Sequence, residues 1–282
     1  MLREVGNLYT RSFRLIFQHP QFLLMTAVYL IFTNVDRYSD TLLRSSGSLD
    51  LYIAVGLIKF PFSFCLYNGF PLALLLMSNQ MESGISLKAL FQKTKDYFWK
   101  YFRQTLAGGL LALAYAFLIV CLTFVFAGLN SATLVIIFLV LFFLGIGFLA
   151  LGFITMGHRI LLDGGQGSFQ NSLRGLRLLN VNFSFFATLF FIDTLISTSL
   201  FPIRYALGSY ITGVDLFSVP ISDFPAFMKN VYYATQTPVV YVWDFLYGLI
   251  FWPFYTILHT LAYQRVKDPN RATVRQKLIT GN

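Results

Sequence analysis

Charge is scarce in this chain. Charged residues make up 12% of 282 positions, against 56% hydrophobic and 18% aromatic. Soluble domains carry about a quarter charged residues, so a soluble globular reading is excluded. Cysteine is almost missing: Cys65 and Cys121 both lie in apolar runs, where free cysteine acts as a small hydrophobe. They offer no metal spacing and no disulfide framework, and the redox compartment stays unread. Chemical motifs are missing too. There is no His-Glu-x-x-His, no Gly-x-Ser-x-Gly and no phosphate-binding Gly-rich loop with Lys, which argues against the common intramembrane hydrolases and an ATPase module. Asp163-Gly164-Gly165 resembles the start of an alcohol-phosphotransferase motif, but the later paired acidic residues such a metal site needs are absent. No catalytic, metal or cofactor residue is assigned.

Long apolar runs are what the chain has instead, with a mean hydropathy of +0.65. A bilayer core about 30 Å thick needs roughly 20 apolar residues per helix, and spanning backbone must satisfy its own hydrogen bonds. The expected fold is all-α: one six-span bundle over 1–264, with spans near 21–35, 51–77, 105–126, 132–156, 183–207 and 239–263, and a basic tail over 265–282. Pro61 and Pro71 should kink the second span, since each removes an internal hydrogen bond. Gly108, Ala112 and Ala116 give the third span a small face for close packing. Ala127 to Ser131 form a tight turn between the third and fourth spans. The long connection over 208–237 reads as an aromatic interfacial helix near 224–234, or as a lid or partner site.

The stretch from Asp163 to Leu207 sets the pattern for the rest. A Gly-rich turn leads into a basic amphipathic segment carrying Arg174 and Arg177, and an apolar run starts at Phe183. This predicts a surface helix feeding a span. Residues 1–19, with Arg3, Arg11 and Arg14, read as another, uncleaved rather than a signal peptide. Pro20 suits the first turn of the helix that follows. Residues 78–103 read as a third, with a turn at 82–86, then Lys88, Lys93, Lys95, Lys100 and Arg103 among aromatic residues, an interfacial anchor. The three surface-helix-plus-hairpin units form a weak internal repeat, with Gly84-Ile85-Ser86 echoing Gly167-Ser168-Phe169.

The net charge of +9 could suggest nucleic acid, but the basic residues sit in alternate loops, the pattern of membrane topology and anionic lipid. The N-terminal segment, 78–103, 157–182 and the tail hold 16 Lys and Arg, the opposite loops 4. The positive-inside rule then places both termini in the cytoplasm, and a bacterial inner membrane suits the chain. Arg11, Arg14, Lys93, Lys95, Lys100, Arg103, Arg174 and Arg177 are the candidate contacts to anionic headgroups or a protein partner.

Three ionisable residues fall inside spans: Lys59, Asp193 and Asp244. Such charges usually face partners or water. A Lys59–Asp244 pair is geometrically allowed, and Asp193 needs Ser197, a tyrosine or water. Tyr52, Gly56, Lys59, Ser63 and Tyr67 form a stripe expected to face protein or water. An internal ion pair fixing helix register is favoured over a proton- or substrate-responsive site. His158 and His259 read as interfacial polar residues.

Six spans, an N-terminal helix ending in Gln18-His19-Pro20 and a Gly167-Ser168 turn opening a basic helix after the fourth span are features that resemble the membrane domain attached to some bacterial glycerophosphoryl diester phosphodiesterases and related stand-alone six-span proteins. The resemblance implies a fold over nearly the whole chain and no activity, since the phosphodiesterase chemistry belongs to a separate soluble barrel. The expected function is a non-enzymatic accessory or scaffold component that holds anionic lipid or a partner. The alternative is a transport component: a permease subunit served by a separate ATPase, or a small carrier using Lys59, Asp193 and Asp244.

Overall fold

Uninterrupted apolar sequence leaves the helix as the way to satisfy backbone polar groups. The computed structural model is helical, and no strand occurs among the described residues. These are residues 1–45, 47–81, 86–127, 144–165, 167–213 and 237–267, with 142, 226 and 230. The helices are α1 (Leu2–Gln18), α2 (Gln21–Ser45), α3 (Leu49–Asn79), α4 (Leu87–Ala127), α5 (Leu144–Leu162), α6 (Ser168–Val181), α7 (Phe183–Thr212) and α8 (Pro238–Lys267). The five helices α3, α4, α5, α7 and α8 contain stretches long and apolar enough to cross a membrane; α1 and α2, bent by 83° at their junction, make a sixth candidate if taken together. The junction holds Pro20, whose carbonyl accepts the Leu24 amide at 3.0 Å.

Several elements run longer than their apolar sequence suggests. The polar residues 36–50 between the first two expected spans read as a loop, yet α2 stays helical to Ser45, because Asp36, Arg37 and Asp40 find partners on neighbouring helices. The basic aromatic segment 87–103 is no separate surface helix. It is continuous with the third span in the 41-residue α4, which at 1.5 Å per residue is about 60 Å long. The Ser86 hydroxyl caps its start, accepting from the Ala89 amide at 3.2 Å. α3 runs unbroken through Pro61 and Pro71. The turn at 128–131, the 82–85 segment, the 224–234 region apart from 226 and 230, and the tail beyond 267 lie outside the described residues.

The chain divides into two compact units. One comprises Met1–Thr10, Leu75–Phe190 and Ile257–Asn282, the other Arg11–Leu74 and Phe191–Thr256. In the first, α5 carries a π-helical turn at Leu151–Met156, with Leu151, Gly152, Phe153 and Met156 buried. α6 lies on this turn backbone to backbone: a Cβ on Gly175 would fall 2.2 Å from the Gly152 carbonyl oxygen and 3.1 Å from the Gly157 nitrogen. Gly108 of α4 is packed less tightly but still closely, with Ile154 Cγ1 2.8 Å and the Phe153 carbonyl oxygen 3.0 Å from where its Cβ would be. Gln104, fully buried on α4, donates from Nε2 to Ser172 Oγ at 2.7 Å and to the Phe153 carbonyl at 3.3 Å. The segment 168–181, expected as a surface helix, thus packs with Asn171, Ser172, Gly175 and Leu179 buried.

The second unit has a core of Tyr29, Leu30 and Leu66, with Phe70, Phe245, Leu249 and Trp252 packed on it. Tyr29 meets Trp252 edge-on at 4.6 Å between ring centroids, the geometry aromatic quadrupoles favour. Gly248 makes room for Leu30, since a Cβ there would sit 2.9 Å from Leu30 Cδ2.

Candidate functional site

Asp36 and Asp40 are one helical turn apart on α2, so their carboxylates share a face. Two like charges there are tolerable only with a cation between them, and α3 supplies Lys59. Its Nζ lies 2.7 Å from Asp36 Oδ1 and 2.8 Å from Asp40 Oδ1. It also donates to Ser39 Oγ at 2.7 Å and to the Asp36 carbonyl at 3.3 Å. From successive turns of the same α3 face, the Tyr67 hydroxyl donates to Asp36 Oδ2 at 3.0 Å and Ser63 Oγ reaches Asp36 Oδ1 at 3.5 Å. The Lys59-Ser63-Tyr67 part of the predicted stripe is thus the α3 side of a polar seam with α2.

A second cluster in the same unit centres on Asp244 of α8. Arg37 Nη1 donates to its Oδ2 at 3.0 Å, and Arg204 of α7 donates from Nη2 to Oδ2 at 2.9 Å while its Nε lies 2.8 Å from Oδ1 as an ion pair without hydrogen-bond alignment. The Arg37 guanidinium also lies over the Tyr241 ring, 5.1 Å from its centroid, a cation–π contact. Asp36 and Arg37 are adjacent, so α2 feeds one residue to each cluster. The two clusters pair three acids with three bases and tie α2 to α3 and α8, and α7 to α8.

The pairing differs from the one the spacing allowed. Lys59 is held by Asp36 and Asp40, and Asp244 by Arg37 and Arg204, so each charge is paired within its own cluster. Asp36, Arg37, Asp40 and Arg204 were missed because they look like loop residues at span ends. The readable signal was their helical spacing: Asp36 and Asp40 at i, i+4, with Arg37 turned away from both. Asp193 is half-buried on α7, and Ser197 on the next turn of that helix has its Oγ 3.2 Å from the Tyr255 hydroxyl. His158, expected as an interfacial residue, is buried instead: its ring stacks on Tyr101 at 4.0 Å and its Nε2 lies 3.0 Å from Thr105 Oγ1.

Of the basic candidates, Lys95, Lys100, Arg103, Arg174 and Arg177 are exposed in the first unit and Arg11 and Arg14 in the second, while Lys93 is half-buried. Lys100 Nζ sits 5.3 Å from the Tyr97 ring centroid. The charged clusters hold carboxylates between cations, an arrangement that neutralises and positions; among the described residues no group of three or more His, Cys, Asp or Glu could hold a metal.

Helices with five or six candidate spans, and no strand, among the described residues place the protein in the class of multi-pass membrane proteins. No family model, curated protein or solved structure matches it.

Proposed function

We propose that this protein is a non-enzymatic six-span membrane component, an accessory or scaffold whose basic cytoplasmic helices hold anionic lipid or a partner. The observation that carries this reading is the neutralised charge network. A lone charge at mid-membrane costs about 2.5–3.5 kcal/mol on insertion scales, and here three acids and three bases cancel within hydrogen-bonding distance. Such a network fixes helix register, which suits a scaffold; a carrier would have to break one of these pairs in each cycle.

The length of α4 supports the lipid-binding half of the reading. A helix about 60 Å long exceeds a hydrocarbon core of about 30 Å twofold. The half bearing Lys88, Lys93, Lys95, Lys100 and Arg103 therefore projects into the headgroups and beyond. Both termini lie in the cytoplasm of a bacterial inner membrane, as the uneven spread of Lys and Arg implies, and kinship with the six-span membrane domains that the sequence resembles fits this topology. Binding to vesicles tests the function. Lys93→Gln, Lys95→Gln and Lys100→Gln together should weaken association with anionic vesicles, by about 1 kcal/mol per charge lost near the surface; unchanged binding would overturn the proposal.

A further inference from the structure

A cleft of about 510 Å³ opens beside the junction of α6 and α7, lined by Glu4, Val181, Phe183, Ser184 and Arg265 among others. Its walls are of two kinds. Val181 and Phe183 are 76% and 58% exposed, leaving apolar surface uncovered. Its charged side chains form one ion pair, Arg265 Nε donating to Glu4 Oε1 at 2.6 Å, with both side chains more than a third exposed. Phe183 opens α7 and Arg265 lies in the last turn of α8, two candidate spans. The cleft therefore lies where hydrocarbon gives way to headgroups.

We propose that this cleft binds one zwitterionic aminophospholipid, its phosphodiester on Arg265, its primary ammonium on Glu4 and an acyl chain along Val181 and Phe183. The charge arithmetic selects the headgroup. An anionic head would gain Arg265 but meet the Glu4 carboxylate beside it, and a cationic head would meet the reverse. A zwitterion exchanges one ion pair for two, each a charge-assisted hydrogen bond. A primary ammonium can donate to Glu4 as the guanidinium does, whereas a quaternary ammonium has no proton to donate. The site owes nothing to the basic row on α4, so the two proposals stand or fall separately.

Native mass spectrometry of the full chain in mild detergent tests this, with phosphatidylethanolamine, phosphatidylcholine and phosphatidylglycerol of identical acyl chains as probes. The wild type should retain one phosphatidylethanolamine in preference to the other two. Glu4→Gln should lower that retention about tenfold, the scale of one hydrogen bond to a charged group. Ser184→Trp, which fills the cleft without touching either charge, should lower retention of all three lipids, and neutralising Lys93, Lys95 and Lys100 should leave phosphatidylethanolamine retention unchanged. Equal retention of the three lipids by the wild type, or wild-type retention by either Glu4→Gln or Ser184→Trp, would overturn the proposal. Should Glu4→Gln fail to fold, Ser184→Trp decides.

Discussion

Arg204 holds Asp244 through one hydrogen bond, Nη2 to Oδ2 at 2.9 Å, and one ion-pair contact, Nε to Oδ1 at 2.8 Å. With Arg37 on the same carboxylate, Asp244 is the only acid between two guanidiniums in its cluster. Asp244→Asn leaves two cations facing each other, and the cost comes from uncompensated charge, not from the lost bond alone. The site is partly exposed, so a loss of about 2–3 kcal/mol is expected, below the buried-pair range. Thermal unfolding in detergent measures it. The double variant Asp244→Asn/Arg204→Gln should recover part of the loss, because one stranded cation goes with the acid. An Asp244→Asn variant as stable as the wild type would refute the register role.

Lys59 gives the mirror case, one base between two acids. Lys59→Met leaves Asp36 and Asp40 a turn apart with no cation between them, and about 1–3 kcal/mol of stability should be lost. Lys59→Arg should retain most of it. The two acids should not be equivalent: Asp36 also accepts from Tyr67 and Ser63, while Asp40 is 43% exposed. Asp36→Asn should therefore destabilise more than Asp40→Asn. The reverse order in detergent melts would mean that solvent, and not the α3 face, satisfies Asp36.

Much of this was legible in the sequence. Apolar run length gives helices wherever the chain is described, and Lys59, Ser63 and Tyr67 stand on one face because 3.6-residue periodicity puts them there. The helix ends were not legible. Asp36 to Ser45 and Leu87 to Arg103 are polar enough to read as loop or surface helix, and only partners distant in sequence, such as Asp244 for Arg37, keep the first of them helical. The pairing of Lys59 was illegible for the same reason. Depth along two spans allows Asp244, but choosing between Asp244 and Asp36 requires knowing which helices are neighbours. The π-turn on α5 was hidden too, since Leu151-Gly152-Phe153-Ile154-Thr155-Met156 has the composition of any apolar helix, and its role shows only where Gly175 lies against it.

That contact makes two glycines respond oppositely to the same substitution. A Cβ on Gly175 meets the Gly152 carbonyl oxygen at 2.2 Å, whereas one on Gly109 of α4 meets nothing within 4 Å. Backbone cannot yield as a side chain can, so Gly175→Ala should cost about 3 kcal/mol, the upper end for overpacking. Gly109→Ala should be neutral or stabilising by up to about 1 kcal/mol, because alanine restricts the unfolded chain in a helix interior. Unfolding midpoints of the two variants, measured side by side, check both; equal midpoints would mean α6 is not seated on the π-turn.

Gln104 tests the same seat from the α4 side. Its amide donates to Ser172 Oγ and to the Phe153 carbonyl, and Ser172 Oγ in turn donates to the Ser168 carbonyl at 3.1 Å. Gln104→Leu keeps the apolar bulk but removes both donors, which should cost about 1–3 kcal/mol. Gln104→Glu should cost more, because an ionised carboxylate only accepts and would face a carbonyl oxygen in a buried site. Ser172→Ala removes one acceptor and should cost about 1 kcal/mol. The double variant Gln104→Leu/Ser172→Ala should fall short of the sum of the single losses, since the two residues share a hydrogen bond. Amide hydrogen exchange over 168–181 supplies the decisive readout. If α6 is locked onto α4 and α5, Gln104→Leu accelerates exchange there while the α2–α3 seam keeps its protection; if α6 merely lies along the lipid surface, its exchange does not change.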